Sequence, residues 1–170
     1  MDYKWQLSFR LGIAAFLSIN FDWFYKILKP LTLYPSYYIL NFFSEATLSV
    51  NGIIKDQYFL NFVDACIAGA AYFLLALLIL FTDKIRLRDR LYMFLLGSLM
   101  LLVFNILRIE VLFYILFNYG ANIFHSVHLL FWKILSTLFV FLTWILLIDI
   151  FKIKSIPVYS DYKKILRMFR

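Results

Sequence analysis

Charge is scarce in this chain. Asp, Glu, Lys and Arg together make up 16% of 170 residues, while 64% are hydrophobic and 21% aromatic. That balance lies far from an average soluble domain, and the apolar content exceeds what a soluble core of this length could bury. Acidic residues are the scarcer sign, 10 against 17 Lys and Arg, leaving a net charge of +7. A basic surplus can signal nucleic-acid binding, but here the basic residues form no solvated domain, so no nucleic-acid partner is expected. They gather between apolar segments and near the C-terminus, the positive-inside pattern. A lone cysteine, Cys66, excludes an internal disulfide and any multi-cysteine metal site. Two histidines and one cysteine without supporting carboxylates make a poor metal site, so neither a metal nor another cofactor is expected. Internal repeats, low-complexity tracts and interdomain linkers are also missing. Residues 1–170 therefore read as a single integral membrane domain.

What the chain does have is long apolar runs, several near or above the roughly 20 residues that span a bilayer. Asp83-Lys84-Ile85-Arg86-Leu87-Arg88-Asp89-Arg90 separates the runs 58–82 and 91–117 and marks a cytoplasmic loop. Basic residues 152, 154, 163, 164, 167 and 170 place the end of run 122–150 on the same side. The two placements agree if Asn118-Tyr119-Gly120-Ala121-Asn122 is a tight external turn. Residues 8–25 make a first span, with Lys4 and Arg10 inside. It lacks a small-residue cleavage site and reads as a retained helix. Residues 26–57 must then cross an even number of times, most simply none. They are expected to form an outer-face interfacial or re-entrant segment with Tyr34, Tyr37 and Tyr38 at headgroup level. The expected fold is an all-α polytopic membrane protein of about four transmembrane helices plus that segment, with both termini cytoplasmic. A core over about 58–150 precedes a basic cytoplasmic tail, 151–170, whose stretch 156–170 should lie on the anionic inner leaflet.

On this map the unusual residues fall at one level. Cys66 stands 18 residues before Lys84, and Arg108 stands 18 after Arg90. At 1.5 Å per residue both lie about 27 Å above the cytoplasmic loop, in the outer half of the bilayer. His125 follows the external turn directly. An Arg at such depth costs on the order of 3 kcal/mol and is a functional hypothesis by default. Its bland reading is an ion pair with Glu110, Asp64 or Asp22, or snorkelling to the external face; a lone Cys is more often a packing residue, and a lone His an interfacial one. Cys, Arg and His together are a complete set for acyl transfer. A thiol attacks as thiolate, which a nearby cation favours. An imidazole moves its proton, and a guanidinium can stabilise an oxyanion or clamp a carboxylate. Ala65, Ala68, Gly69, Ala70 and Ala71 surround Cys66 with small side chains, so a neighbouring or substrate helix can approach closely. Asn105 shares a face with Arg108 and could orient it or bind substrate backbone, and His128, one turn beyond His125, competes with it as the base.

The segments Val63-Asp64-Ala65-Cys66-Ile67-Ala68-Gly69, Asn105-Ile106-Leu107-Arg108-Ile109 and Phe124-His125 resemble the three signature regions of the exosortase/archaeosortase family. The resemblance covers about residues 58–150. It implies a membrane-embedded cysteine transpeptidase of the plasma membrane, its site on the extracytoplasmic side. Such an enzyme cuts C-terminal sorting signals, which carry a short motif, an apolar helix and a basic tail. It passes the product to an amine acceptor, a membrane lipid headgroup. Carried over, Cys66 is the nucleophile, His125 the general acid/base and Arg108 the stabiliser of the intermediate. Two other classes compete. A non-catalytic membrane subunit or assembly factor would use Arg108 as an intramembrane ion-pair anchor, and a small transporter would use it as an anion site.

Overall fold

The computed structural model describes residues 3–82 and 85–153. The segment 156–170 and two residues of the basic loop, 83 and 84, lie outside the described residues. Helix α1 (Tyr3–Ile19) gives way at Asn20-Phe21 to α2 (Asp22–Phe43). α2 holds both Pro30 and Pro35 and buries Leu28, Thr32, Ser36 and Leu40, spaced four apart along one side. A three-stranded antiparallel sheet comes next, in the order β1 (Thr47–Ser49), β2 (Gly52–Lys55), β3 (Tyr58–Asn61). Its first turn is Val50-Asn51, with Ser49 paired to Gly52. A Cβ on Gly52 would collide with the carbonyl of Leu60, so only glycine fits there. Its second turn carries Asp56 at φ 52°, a left-handed conformation that Asp tolerates better than most residues.

A four-residue helix, α3 (Asp64–Ile67), is joined through Ala68 to α4 (Gly69–Phe81). Beyond the basic loop a helical run continues from Leu87 to Ile150 as α5 (Leu87–Leu130), a π-helical turn (Phe131–Leu135) and α6 (Ser136–Ile150). It is interrupted once in φ/ψ, at Gly120 (φ 82°, ψ 175°), a region open only to glycine. The run folds back there. A Cβ on Gly97 would touch Leu147, Phe104 stacks on Phe139 at 3.6 Å, and Arg108 reaches Ser136. Partner numbers fall as α5 numbers rise, so the two arms are antiparallel.

The four-span all-α expectation is corrected on two counts. One helical run among the described residues, Leu87–Ile150, is long and apolar enough to cross a membrane. A second arises only if Leu7–Ile19 and Asp22–Phe43, bent 63° from each other, act as one span. The apolar run 58–82 fails as a span because its first residues pair as β3 and Ala68 breaks the rest. The helix left, Gly69–Phe81, has 13 residues, short of the roughly 20 needed. The segment expected on the outer face is likewise a 22-residue helix followed by a sheet. The sequence mark of that sheet is Asn51-Gly52, the last residue of its first turn and the first residue of β2.

Two apolar clusters hold these elements. One joins Leu28, Ile67, Tyr72, Leu75, Met93, Leu101, Val140 and Leu147. The other joins Leu33, Leu40, Ile53, Leu60, Phe62, Ile109, Phe113 and Leu116. Aromatic contacts tie the sheet to α5: Phe62 lies 6.2 Å from Phe113, and Lys55 Nζ sits 4.0 Å over the Phe117 ring. α3 stands at the seam, with Ile67 in the first cluster and Cys66 packed against the second.

Nothing lies within 4 Å of a Cβ built on Gly120, so Gly120→Ala isolates backbone strain. It should destabilise by about 1–3 kcal/mol, read as a lower thermal midpoint of the detergent-solubilised protein. Gly12→Ala, equally free of contacts but inside α1, should be neutral or stabilising. Equal effects at both positions would remove the strain argument.

Candidate active site

The site is built where the chain leaves the sheet. Phe62 N–H donates to the Asn51 carbonyl at 2.9 Å, ending the ladder, and Val63 remains extended. One helical turn comes next: Cys66 N–H donates to the Val63 carbonyl at 2.8 Å and Ala68 N–H to that of Asp64 at 3.2 Å. Ala68 then adopts φ 57°, ψ 30° and ends the turn. Helices commonly stop on such a residue, but usually a glycine; an alanine there costs about 1–2 kcal/mol. The neighbouring Gly69 serves a different need. A Cβ on it would lie 2.8 Å from Cε1 of Tyr25, so α4 starts against that ring because the position has no side chain.

A turn this short leaves carbonyls pointing out of its C-terminal end, and burial makes each one costly. α5 supplies the donors. Asn105 Nδ2 donates to the Cys66 carbonyl at 2.8 Å, and Arg108 Nη2 donates to the Ala65 carbonyl at 2.8 Å and to that of Cys66 at 3.4 Å. Asn105 and Arg108 are 3% and 2% exposed, so these bonds form out of water. Arg108 Nη1 donates to Ser136 Oγ at 3.3 Å, and the Ser136 hydroxyl donates in turn to the Phe131 carbonyl at 2.8 Å. That last bond, five residues back, spans the π-helical turn. All these partners are oxygens of carbonyls or a hydroxyl, none of them a carboxylate, so the ion pairs with Glu110, Asp64 or Asp22 are not what holds the charge. Nε of Arg108 is buried with no hydrogen-bond partner.

Two cavities flank this knot. One of about 350 Å³ is lined by Tyr25, Asp64, Gly69, Arg108 and Ser136 among others. The second, about 300 Å³, is lined by Cys66, Ile109, Phe124 and His128, together with residues of β3. The two histidines part company here. His128 stands half-buried in the cavity it shares with Cys66, its ring parallel to that of Phe124 at 5.7 Å, and its Nε2 is buried without a partner. His125 is exposed and is not among the residues lining that cavity. The structure thus brings together Cys66, Asn105 and Arg108 through hydrogen bonds, and Cys66 and His128 through a shared cavity. Gly69 borders the other cavity.

Sequence reasoning missed the Ala65 carbonyl and Ser136. The first is backbone and leaves no residue-type signal. The second had one: a serine within a long apolar helix needs an acceptor, and its own side chain can reach back only so far. Among groups of His, Cys, Asp and Glu, none of three or more could hold a metal ion among the described residues. No family model matches the chain, and neither does any curated protein or solved structure.

Arg108→Lys keeps the charge but cannot reach two carbonyls and Ser136 at once. It should destabilise by about 1–3 kcal/mol. Asn105→Ala should cost less on its own, and the double variant more than the sum, because either donor alone still serves the Cys66 carbonyl and losing both leaves it unmet. Thermal unfolding of the four proteins in one detergent measures this. Strict additivity would mean the two side chains do not share that acceptor.

Proposed function

We propose that this chain is a membrane-embedded cysteine transpeptidase of the exosortase/archaeosortase type, held in the plasma membrane with its site open to the extracytoplasmic side. The observation that carries the reading is the shared cavity: a half-buried thiol, Cys66, and an imidazole, His128, whose buried Nε2 has no protein partner, line one space beside a fixed cation. His128 takes the acid/base role in place of His125, because a proton carrier must reach the thiol or one bridging water. Arg108 and Asn105 hold the Cys66 peptide in place. The guanidinium also favours the negative charge of an addition intermediate.

The reaction runs in two halves. The Cys66 thiol gives its proton to His128 and attacks a peptide carbonyl, forming a C–S bond. The C–N bond then breaks as His128 returns the proton to the departing amine, leaving a thioester. An acceptor amine, from a lipid headgroup, attacks the thioester while His128 takes its proton; the C–S bond breaks, an amide forms and the thiol is restored. The substrate is the C-terminal sorting signal of an exported protein. Sidedness is supported by the basic residues Arg86, Arg88 and Arg90, at the end of α5 away from Gly120. Arg108 and His128 lie nearer Gly120. The anchor-subunit reading is less well supported, since Arg108 is 2% exposed and spends its hydrogen bonds inside the chain.

The test is processing in cells of a co-expressed membrane protein from the same genome that ends in a motif, an apolar helix and a basic tail. Wild type should shorten it and Cys66→Ala should not. His128→Ala should slow the step about 10²–10⁴-fold, with His125→Ala close to wild type. Processing by Cys66→Ala at the wild-type rate would sink the cysteine mechanism, and loss with His125→Ala but not His128→Ala would reverse the choice of base.

A further inference from the structure

Strand β3 is an edge. It pairs with β2 alone among the described residues, and its other side has no strand against it. The register decides which backbone groups face that side. Antiparallel partners exchange hydrogen bonds at alternate residues. Phe62 N–H reaches the Asn51 carbonyl, so Phe62, and with it Leu60 opposite Ile53 and Tyr58 opposite Lys55, direct their backbone groups at β2. Phe59 and Asn61 therefore direct theirs outward. The Asn61 carbonyl is taken by Val63 N–H at 3.1 Å. Phe59 N–H, Phe59 C=O and Asn61 N–H remain, a donor, an acceptor and a donor in strand spacing. Exposed edges of this kind are where an extended chain adds.

The cavity that holds Cys66 lies along that edge. Its wall includes five consecutive residues, Tyr58 to Phe62. Side chains alternate between the two faces of a strand, so a space bordered by both parities runs beside the backbone and not over one face. Leu112, Phe113 and Leu116 of α5 line it as well, and Cys66 and His128 stand in the same space. The wall is apolar apart from a few groups, which suits an occupant recognised through its main chain and small or apolar side chains.

We propose that the substrate docks as a fourth strand on β3, an extended peptide hydrogen-bonded to Phe59 and Asn61 that leads its carbonyl to Cys66. Attack by the thiol on that carbonyl rests on the cysteine reading; strand addition is how the peptide is recognised. Main-chain recognition makes the strand address tolerant of sequence, with selection left to the side chains that point into the apolar wall.

The probe is acetyl-tetraalanyl chloromethyl ketone, whose methylene carbon alkylates the Cys66 sulfur with loss of chloride. Saturation kinetics on the purified, detergent-solubilised protein separates docking (KI) from thiol chemistry (kinact), and iodoacetamide reports the thiol without a peptide. A methyl group on a probe nitrogen that faces β3 should raise KI about 5- to 10-fold. Moving it one residue should not, so the penalty alternates along the probe. Phe59→Pro removes one outward donor and leaves the β2 ladder intact, since residue 59 gives β2 no bond. It should raise KI by a similar factor over Phe59→Ala, with kinact and the iodoacetamide rate unchanged. A uniform effect of methylation, or equal KI for Phe59→Pro and Phe59→Ala, overturns strand addition while leaving the cysteine mechanism standing. If neither reagent modifies Cys66, the cysteine mechanism falls instead. Docking is then read from the anisotropy of fluorescein-labelled tetraalanine with the same methylated series. Alternation there supports strand addition, and its absence overturns it.

Discussion

The hydrogen bonds from Arg108 and Asn105 to the carbonyls of Ala65 and Cys66 are the constraint on which the rest of the molecule turns. A four-residue helix that ends on a left-handed alanine cannot satisfy its own C-terminal carbonyls. In an apolar setting each unmet group costs several kcal/mol. Two side chains three residues apart on α5 meet that demand, and the second also reaches Ser136 on the returning arm. One guanidinium thus ties together the turn that bears the thiol, the long arm of α5 and the start of α6. A buried charge is expensive in isolation; here its donors are matched to carbonyl dipoles at a helix C-terminus, the end that favours a cation.

That knot sits between two apolar clusters, and it divides the labour between them. The cluster on the α4 and α6 side packs helix on helix, with Gly97 letting Leu75 and Leu147 come close. The cluster on the sheet side packs strands and α2 against the upper part of α5. Cys66 lies where neither cluster closes completely, which is why a cavity persists beside it. Its carbonyl is pinned by α5, while the residue borders the cavity on the sheet side, where His128 also stands. The result is rigid support on one side of the residue and space on the other.

Much of the candidate site was legible in the sequence, and much of the fold was not. A lone arginine in an apolar run announces itself, because the cost of burying it must be met somewhere. Asn105, three residues earlier, follows from helical spacing. Composition could not show that the acceptors are backbone oxygens, since any residue type supplies them. The choice between His125 and His128 depends on the rotation of the helix after Gly120, which hydropathy does not resolve. The span count failed for a different reason. Apolar residues 58–63 are as greasy as a membrane helix, yet the Val50-Asn51 and Asp56-Gln57 turns commit them to a sheet. Ala68 carries no sequence mark of a break, because alanine is the strongest helix former, yet it is left-handed here.

The π-helical turn at Phe131–Leu135 can be viewed as an insertion that the helix absorbed rather than looped out. Each residue in an α-helix advances the chain by about 100° around the axis. Winding the same residues as a regular helix would swing everything on one side of the turn by about that angle. Either Val140, Thr143 and Leu147 would leave their buried stripe, or His128 would leave the cavity. The extra residue therefore lets one helix answer two demands that a uniform helix could not meet together. A chain one residue shorter within Phe131–Leu135 could keep both faces on a regular helix.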